Sequence, residues 1–462
     1  MIDEIHAEFK NSVFFATPAH RPEPAKKGNN QLLKGQVNME EYIIVSSGVV
    51  ISGLKLNTDM TVLSGGKVMN TVVSNGGSLD VHCGGVAENT AVFSGGELTV
   101  WSCGTAMKII ENGGNVEIKD GATVSFAPNT IRNLQLIDDG RERYDCIRAT
   151  VHSGTIADST EIFADSVLEV YSCGIVKNTA VSSGGDLSVR SGGRMEHTTV
   201  SRGGRLSLES GSVANHTVVS AGGEFYVYSG ATATGIIEKG GHVRVNEGAT
   251  VTFASSVLRD MVLTDCANTT IHSGTIASGV TIRKDKLDVC SGGRAKDTTI
   301  SGGVLVAREG SITENTTIFS GVLHIMSGGT ATGIQAEKGA RIILHAISPD
   351  TCAQGTFNGS SFDIHGVISS CVLMERNPFD TVGHLFDEME ELDVFSGGTA
   401  VNVTVSSGGE LRISSGGLAE MPTVCSGGRL IVLNGGSAHG VIKEDSAAIE
   451  TEDGAVVFFT DE

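Results

Sequence analysis

From Tyr42 onward the chain alternates apolar and polar residues in short runs, and pairs of glycine cut the runs apart. A frame begun at Asn70 reads Asn-Thr-Val-Val-Ser-Asn-Gly-Gly-Ser-Leu-Asp-Val-His-Cys-Gly-Gly-Val-Ala-Glu, and Asn89 starts the pattern again, a period of 19 residues. Position 4 carries Val73, Val92, Val181, Val200, Val219, Val405 and Val424. Position 10 carries Leu79, Leu98, Leu187, Leu206, Phe225, Leu411 and Leu430, and position 12 is Val, Leu or Ile throughout. Alternation with period 2, bounded by Gly pairs, predicts short strands with one buried face, each coil reading strand, turn, strand, turn. Position 18 is usually Ala, as at Ala87, Ala106 and Ala214, which predicts a tight corner there. The frames starting at Asp297 and Asn315 have 18 residues, a deletion that a loop absorbs.

A single coil cannot bury enough apolar surface to hold itself together. About twenty of them, stacked, pair each strand in parallel with its equivalent one period away, at about 4.8 Å. The expected fold is therefore all-β: a single-stranded parallel β-helix, or β-solenoid, with coils of 18–19 residues.

A longer period overlies the first. GATVSF at 121–126 recurs as GATVTF at 248–253 and GAVVFF at 454–459, and HSGTIA at 152–157 recurs at 272–277. These segments divide the chain into an N-terminal leader, 1–41, expected to be poorly ordered, and solenoid blocks at 42–145, 146–265, 266–373 and 374–462. The fourth block opens on an insertion. In it Val382, Leu385, Phe386, Met389 and Leu392 have helical spacing, which predicts one short amphipathic helix near 379–392 that covers apolar surface.

Composition changes this picture little. Gly is 61 residues and Pro 7, with 40% apolar and 5% aromatic residues, so the core is aliphatic and neither collagen nor Pro-rich disorder is indicated. The formal charge of −20 repels phosphate backbones and anionic membranes, which argues against nucleic acid and against direct membrane insertion. The opening MIDEIHAEFKNSVFFATPAH is acidic and has a four-residue apolar run, a pattern that predicts neither a secretion signal nor a membrane anchor in these residues. Nine cysteines lack metal-ligand spacing. Cys103 and Cys173 replace the first Gly of a second turn, and Cys83 precedes Cys103 by one coil; a Cys83–Cys103 bridge is conceivable, but reduced turn residues are the expectation.

β-Solenoids also host polysaccharide enzymes, so catalysis needs carboxylates converging on one face of adjacent coils. Outward position 11 instead reads Asp80, Thr99, Ser188, Ser207, Tyr226, Arg412 and Ile431, and the acidic pair Asp138-Asp139 reads as a solvated turn. The residue after the first Gly pair varies between Ser, Glu, Asp and Arg, which excludes a repeated metal site. No catalytic residue, metal or cofactor is expected. His152 and His272 share a block position and are read as equivalent surface side chains without a constant acidic partner. Trp101, Tyr171 and Tyr228 share outward position 13 and are candidate exposed aromatic contacts.

The units TVLSGGKVMNTVVSNGGSLDV, NTAVSSGGDLSVRSGG and VTVSSGGELRISSGGLAE resemble the passenger repeats of self-associating autotransporter adhesins, the group that includes the adhesin involved in diffuse adherence. The resemblance covers nearly all of 42–459. It implies a β-helical passenger on the bacterial surface, or released from it, that adheres to host or matrix surfaces or to copies of itself. It further implies a glycosyltransferase as partner, acting on repeat hydroxyls. Carried onto this chain, the candidate O-glycosylation sites are Ser94, Ser183, Ser407 and Ser426 at first turns and Ser191, Ser291, Ser327 and Ser415 at second turns. The family's export signal and translocator barrel have no counterpart read here. A polysaccharide-binding or polysaccharide-degrading β-helix and a structural stalk are the alternative readings.

Overall fold

The computed structural model describes residues 13–16, 42–137, 147–264, 268–374 and 390–460. It forms two compact units, one of residues 1–236 with 244–252 and the other of 237–243 with 253–462. Among the described residues the secondary structure is entirely strand, and nearly all pairing is parallel between successive coils, as the repeat predicts.

In the first unit one coil is the strands Ser78–Val81, Val86–Glu88 and Ala91–Phe93. Leu79 and Val81 point inward and stack on Leu98 and Val100 of the next coil, 19 residues on. Further along, Leu168, Leu187, Leu206 and Phe225 form one buried column. The second unit repeats this with Leu392, Leu411 and Leu430. Its shorter coils keep register as Leu287, Leu305 and Leu323, 18 apart, with irregularities between Ile300 and Val304 that absorb the missing residue at a turn.

Many coils have three strands rather than two, and in others, as at Arg194–Val200, the last two run together. The extra corner is position 1, where Asn70 and Asn89 sit at φ 51° and 57°. Asn adopts this left-handed conformation more readily than most residues, and its amide also ties the corner to the coil below: Asn89 Nδ2 donates to Asn70 Oδ1 at 2.7 Å. Position 18, expected at a corner, lies in the middle of a strand instead: Ala87 points into the core from Val86–Glu88, and Met195 takes the equivalent place.

Behind the Asn corner stands a column the alternation pattern missed. Thr71, Thr90, Thr198 and Thr217 are buried, and their hydroxyls find no partner. Val403 and Ile236 occupy the same place after their own left-handed residues, Asn402 and Gly235, so the site tolerates an aliphatic residue.

The two glycines of a pair do different work. Gly203 lies at φ 73°, which favours glycine, whereas a Cβ on Gly204 would stand 2.5 Å from the Val181 carbonyl oxygen of the preceding coil.

Residues 1–41 lie outside the described residues except for Val13–Ala16, a strand antiparallel to Tyr42–Val45. The helix expected near 379–392 falls outside them up to 389, and its last residues belong to the strand Glu391–Val394. An antiparallel hairpin, Cys352–Phe357 with Ser360–His365, lies just before that segment.

Two substitutions separate these roles. Gly204→Ala should destabilise the chain by about 1–3 kcal/mol, the range for an overpacked contact. Thr198→Val should be neutral or stabilise by up to about 1 kcal/mol, because it removes a buried hydroxyl that makes no bond. Urea unfolding followed by circular dichroism reads both, and a destabilised Thr198→Val would refute the account of the column.

Candidate functional site

The turn serines are placed by the coil spacing. In several Ser-Gly-Gly turns the serine side chain lies under the first glycine of the next coil, so that a Cβ on Gly203 would meet Ser183 Oγ at 2.7 Å and one on Gly211 would meet Ser191 Oγ at 2.8 Å. Ser291, Ser407 and Ser415 lie under Gly310, Gly427 and Gly435 in the same way. Ser183, Ser191, Ser291, Ser407, Ser415 and Ser426 are exposed, while Ser94 and Ser327 are half-buried. At the second turns of the first unit Ser172, Ser191, Ser210 and Ser229 follow one another at the coil repeat, whereas Ser183 lies between Ala164 and Arg202 and Ser291 is followed by Glu309.

The three aromatic residues do not form a common surface. Trp101 is exposed, lies parallel to His82 at 5.5 Å between ring centres, and donates from Nε1 to Asp80 at 2.9 Å. Tyr171 is half-buried: its ring stacks on His152 at 4.5 Å and its hydroxyl donates to Glu169 at 3.1 Å. Burial, then the charge of Glu169 and the hydrogen bond to it, push the Tyr171 phenol up to about 12. Tyr228 is also half-buried.

Acidic residues on the outer faces pair with basic residues of neighbouring coils. Arg190 bridges Glu169 at 2.6 Å and Glu209 at 3.8 Å. Arg429 bridges Glu410 at 3.1 Å and Glu450 at 2.9 Å, and Arg308 holds Asp288 at 2.5 Å. Signs thus alternate along the stack instead of concentrating. Asp138-Asp139 lies outside the described residues.

The histidines are not equivalent surface side chains. His152 is buried, and Glu111, fully buried, is its acidic partner: His152 Nδ1 lies 2.7 Å from Glu111 Oε1, and its backbone N–H donates to Oε2 at 2.8 Å. Thr150 donates to Oε1 at 2.9 Å and accepts from the Val116 N–H. The second unit repeats the set. Fully buried Glu238 faces His272 Nδ1 at 2.7 Å and accepts from the His272 N–H at 2.8 Å and from Thr275 at 2.8 Å, and Thr270 accepts from the Val243 N–H. Phe126 stacks on His152 at 4.6 Å and Phe253 on His272 at 4.4 Å.

In the first unit this set fills a break: the sheet containing Asn115–Ile118 ends and another begins at Ile147–Val151. The sequence did hold the signal. Ile-Ile-Glu occurs at 109–111 and 236–238, each ahead of a Thr-x-His-Ser-Gly-Thr-Ile-Ala segment, at 150–157 and 270–277, whereas the matching place before the third boundary is Ile334-Gln335-Ala336.

Burial pulls the His272 imidazole down, but hydrogen bonds with Cys290 and Glu238 and the charges of both outweigh it and hold it at about 9. Its folded pKa lies above the ordinary 6.5, so the stabilisation is complete below pH 6.5 and is lost as pH rises through about 9. The urea midpoint of the wild-type chain should fall across that window by more than that of His272→Gln, and equal slopes would remove the pair from the account. Glu238→Ala should cost about 3–5 kcal/mol by the same method, because it strands buried partners. Exposed Glu337→Ala should stay within about 0.5 kcal/mol.

Comparison with known proteins follows the same coils. The family model for the adhesin of bacterial autotransporter system, probable stalk, matches residues 62–114 and 394–446. No curated protein matches. Among solved structures, the crystal structure of a TibC-catalysed hyper-glycosylated fragment of TibA is similar at 22% identity, covering 93% of this chain and 98% of that chain with a TM-score of 0.18. Residues 62–114 of the first unit and 394–446 of the second are thus stretches similar to the autotransporter adhesin stalk family.

Proposed function

We propose that this chain is a non-catalytic, autotransporter-passenger-like adhesin that acts at the bacterial surface or outside the cell, through adhesion or self-association along the faces of its coil stacks. The observation that carries this reading is the coincidence of the two family matches with stacked coils that expose serines at their turns. Such a surface offers many identical weak contacts, so binding strength comes from their number. The exposed hydroxyls of Ser183, Ser191, Ser291, Ser407, Ser415 and Ser426 are the acceptors the chain offers to a glycosyltransferase.

One further observation fits. On the outer faces Glu169, Glu209, Glu410 and Glu450 are engaged in ion-pair ladders, which leaves them poorly arranged for the general acid and base of a polysaccharide enzyme.

The family's description as a probable stalk favours a second reading, in which the coils only hold another domain away from the envelope. Beads coated with the purified chain separate the two: an adhesin clusters them or binds them to host or matrix surfaces, and a stalk leaves them dispersed. Displayed on cells beside a glycosyltransferase, the chain should carry sugars on the six exposed serines, read by peptide mass. Replacing all six by Ala should lower clustering several-fold while leaving the circular dichroism unchanged. Dispersed beads in every condition would reject the adhesin.

A further inference from the structure

Cys83 and Cys103 occupy successive coils of the first unit, in turns closed by Gly85 N–H to the His82 carbonyl and Gly104 N–H to the Trp101 carbonyl, both at 2.8 Å. Cys83 is therefore the first central residue of its turn and Cys103 the second central residue of the next. The turns stack directly, with Gly84 N–H donating to the Cys103 carbonyl at 3.1 Å.

The geometry between those two places is measured repeatedly elsewhere in the chain. A Cβ built on the second central residue lies 3.2 Å from the Cβ of the first central residue one coil before at Gly203 over Ser183, 3.1 Å at Gly192 over Ser172, 3.5 Å at Gly230 over Ser210 and 3.7 Å at Gly211 over Ser191. Disulfide-bonded cysteines need Cβ atoms about 3.5–4.5 Å apart. A cysteine at each place thus starts at the short edge of bonding distance, and a shift of a few tenths of an ångström completes it.

Two more observations point the same way. Cys103 holds a left-handed φ of 61° where most coils place glycine, a costly position for a side chain. Both thiols are exposed and so reachable by an oxidant, and the Cys83 thiol is pushed up by its hydrogen bond to Cys103, then by burial and by the charge of Cys103. Cys173 repeats the Cys103 position at φ 59°, but the residue twenty before it is Ser153, so it has no thiol beneath it.

We propose that Cys83 and Cys103 are a disulfide site that clips one coil to the next. Each thiol loses a proton and an electron, the sulfur–sulfur bond forms, and a small-molecule disulfide such as oxidised glutathione takes up both electrons and both protons and leaves as two thiols. The bond closes the loop from 83 to 103 across a turn column. Solenoids open coil by coil from their ends, so oxidation makes the early coils of the first unit harder to peel away.

The test uses the full chain, reduced, then treated with oxidised glutathione under native conditions, alkylated, and cut by a Glu-specific protease. Glu88 and Glu97 lie between the two cysteines, so a bridge holds together two peptides that otherwise separate. The expected result is one linked species, lighter by two hydrogens than the sum of its peptides and lost on reduction, with Cys173 alkylated in the same sample. Cys103→Gly, which restores the residue common at this turn, should fold normally and leave Cys83 alkylated. Oxidation should also slow amide exchange over residues 84–104 by about tenfold or more, a protection Cys103→Gly does not gain. Recovery of Cys83 and Cys103 separately alkylated, or joined to other cysteines, overturns the proposal.

Discussion

Each coil must return over its predecessor at the spacing of a parallel ladder, about 4.8 Å, and the rest of each unit follows from that distance. It stacks like on like, so that Leu187, Leu206 and Phe225 meet in one column. It also leaves no room for a β-carbon where the chain turns closest to the coil below, as at Gly204 over the Val181 carbonyl. The second glycine of each pair is thus required by contact between coils, and the first by its own backbone conformation. Both requirements are relaxed in places: Cys103 and Cys173 hold the left-handed position, and Ser212, Ala231 and Ser311 close turns where other coils have the second glycine.

A repeating ladder becomes most expensive where it is interrupted, because backbone donors at the break are buried with no partner. The Glu111 and Glu238 sets answer that problem with one side chain each. A carboxylate has two oxygens and about four acceptor sites, enough to take a backbone N–H, an imidazole and a threonine hydroxyl together. Burying it is costly alone, and the facing histidine offsets that cost. The third boundary shows that the solution is local. Ala336 stands in the place of the glutamate, and Thr351 Oγ1 accepts instead from Gly328 N–H at 2.9 Å and Ser348 N–H at 3.0 Å.

The fold was legible because its signal is repeated many times: valines at position 4 and leucines at position 10 point inward wherever they recur, and the parallel register follows their spacing. What escaped was carried by residues with two meanings. Asn at position 1 reads as a polar strand residue or as a left-handed corner, and only the corner explains the amide ladder from Asn89 to Asn70. Thr at position 2 interrupts the apolar alternation, so its burial as an unbonded hydroxyl was hidden. The histidine partners were missed because Glu111 lies 41 residues before His152, and Glu238 34 before His272, so no fixed offset links them. The candidate surface was legible to the level of the turn, since serine before Gly-Gly marks it, but the half-burial of Tyr171 on His152 depends on that same unseen junction.

A surface that associates with copies of itself must first be approachable, and a chain of formal charge −20 is not obviously so. At physiological salt, repulsion between exposed charges fades beyond about 8 Å, so what matters is the charge that directly faces a partner. Along the stacks that charge is locally balanced: Glu169, Arg190 and Glu209 alternate in sign, as do Glu410, Arg429 and Glu450. The serine run from Ser172 to Ser229 adds neither charge nor bulk, and it repeats at the period of the coil. Two such runs match at every coil once they match at one. The ladder spacing that forces glycine into the turns therefore also sets the period of the exposed hydroxyls, and adhesion built on that period would depend on no single residue while growing with every coil added.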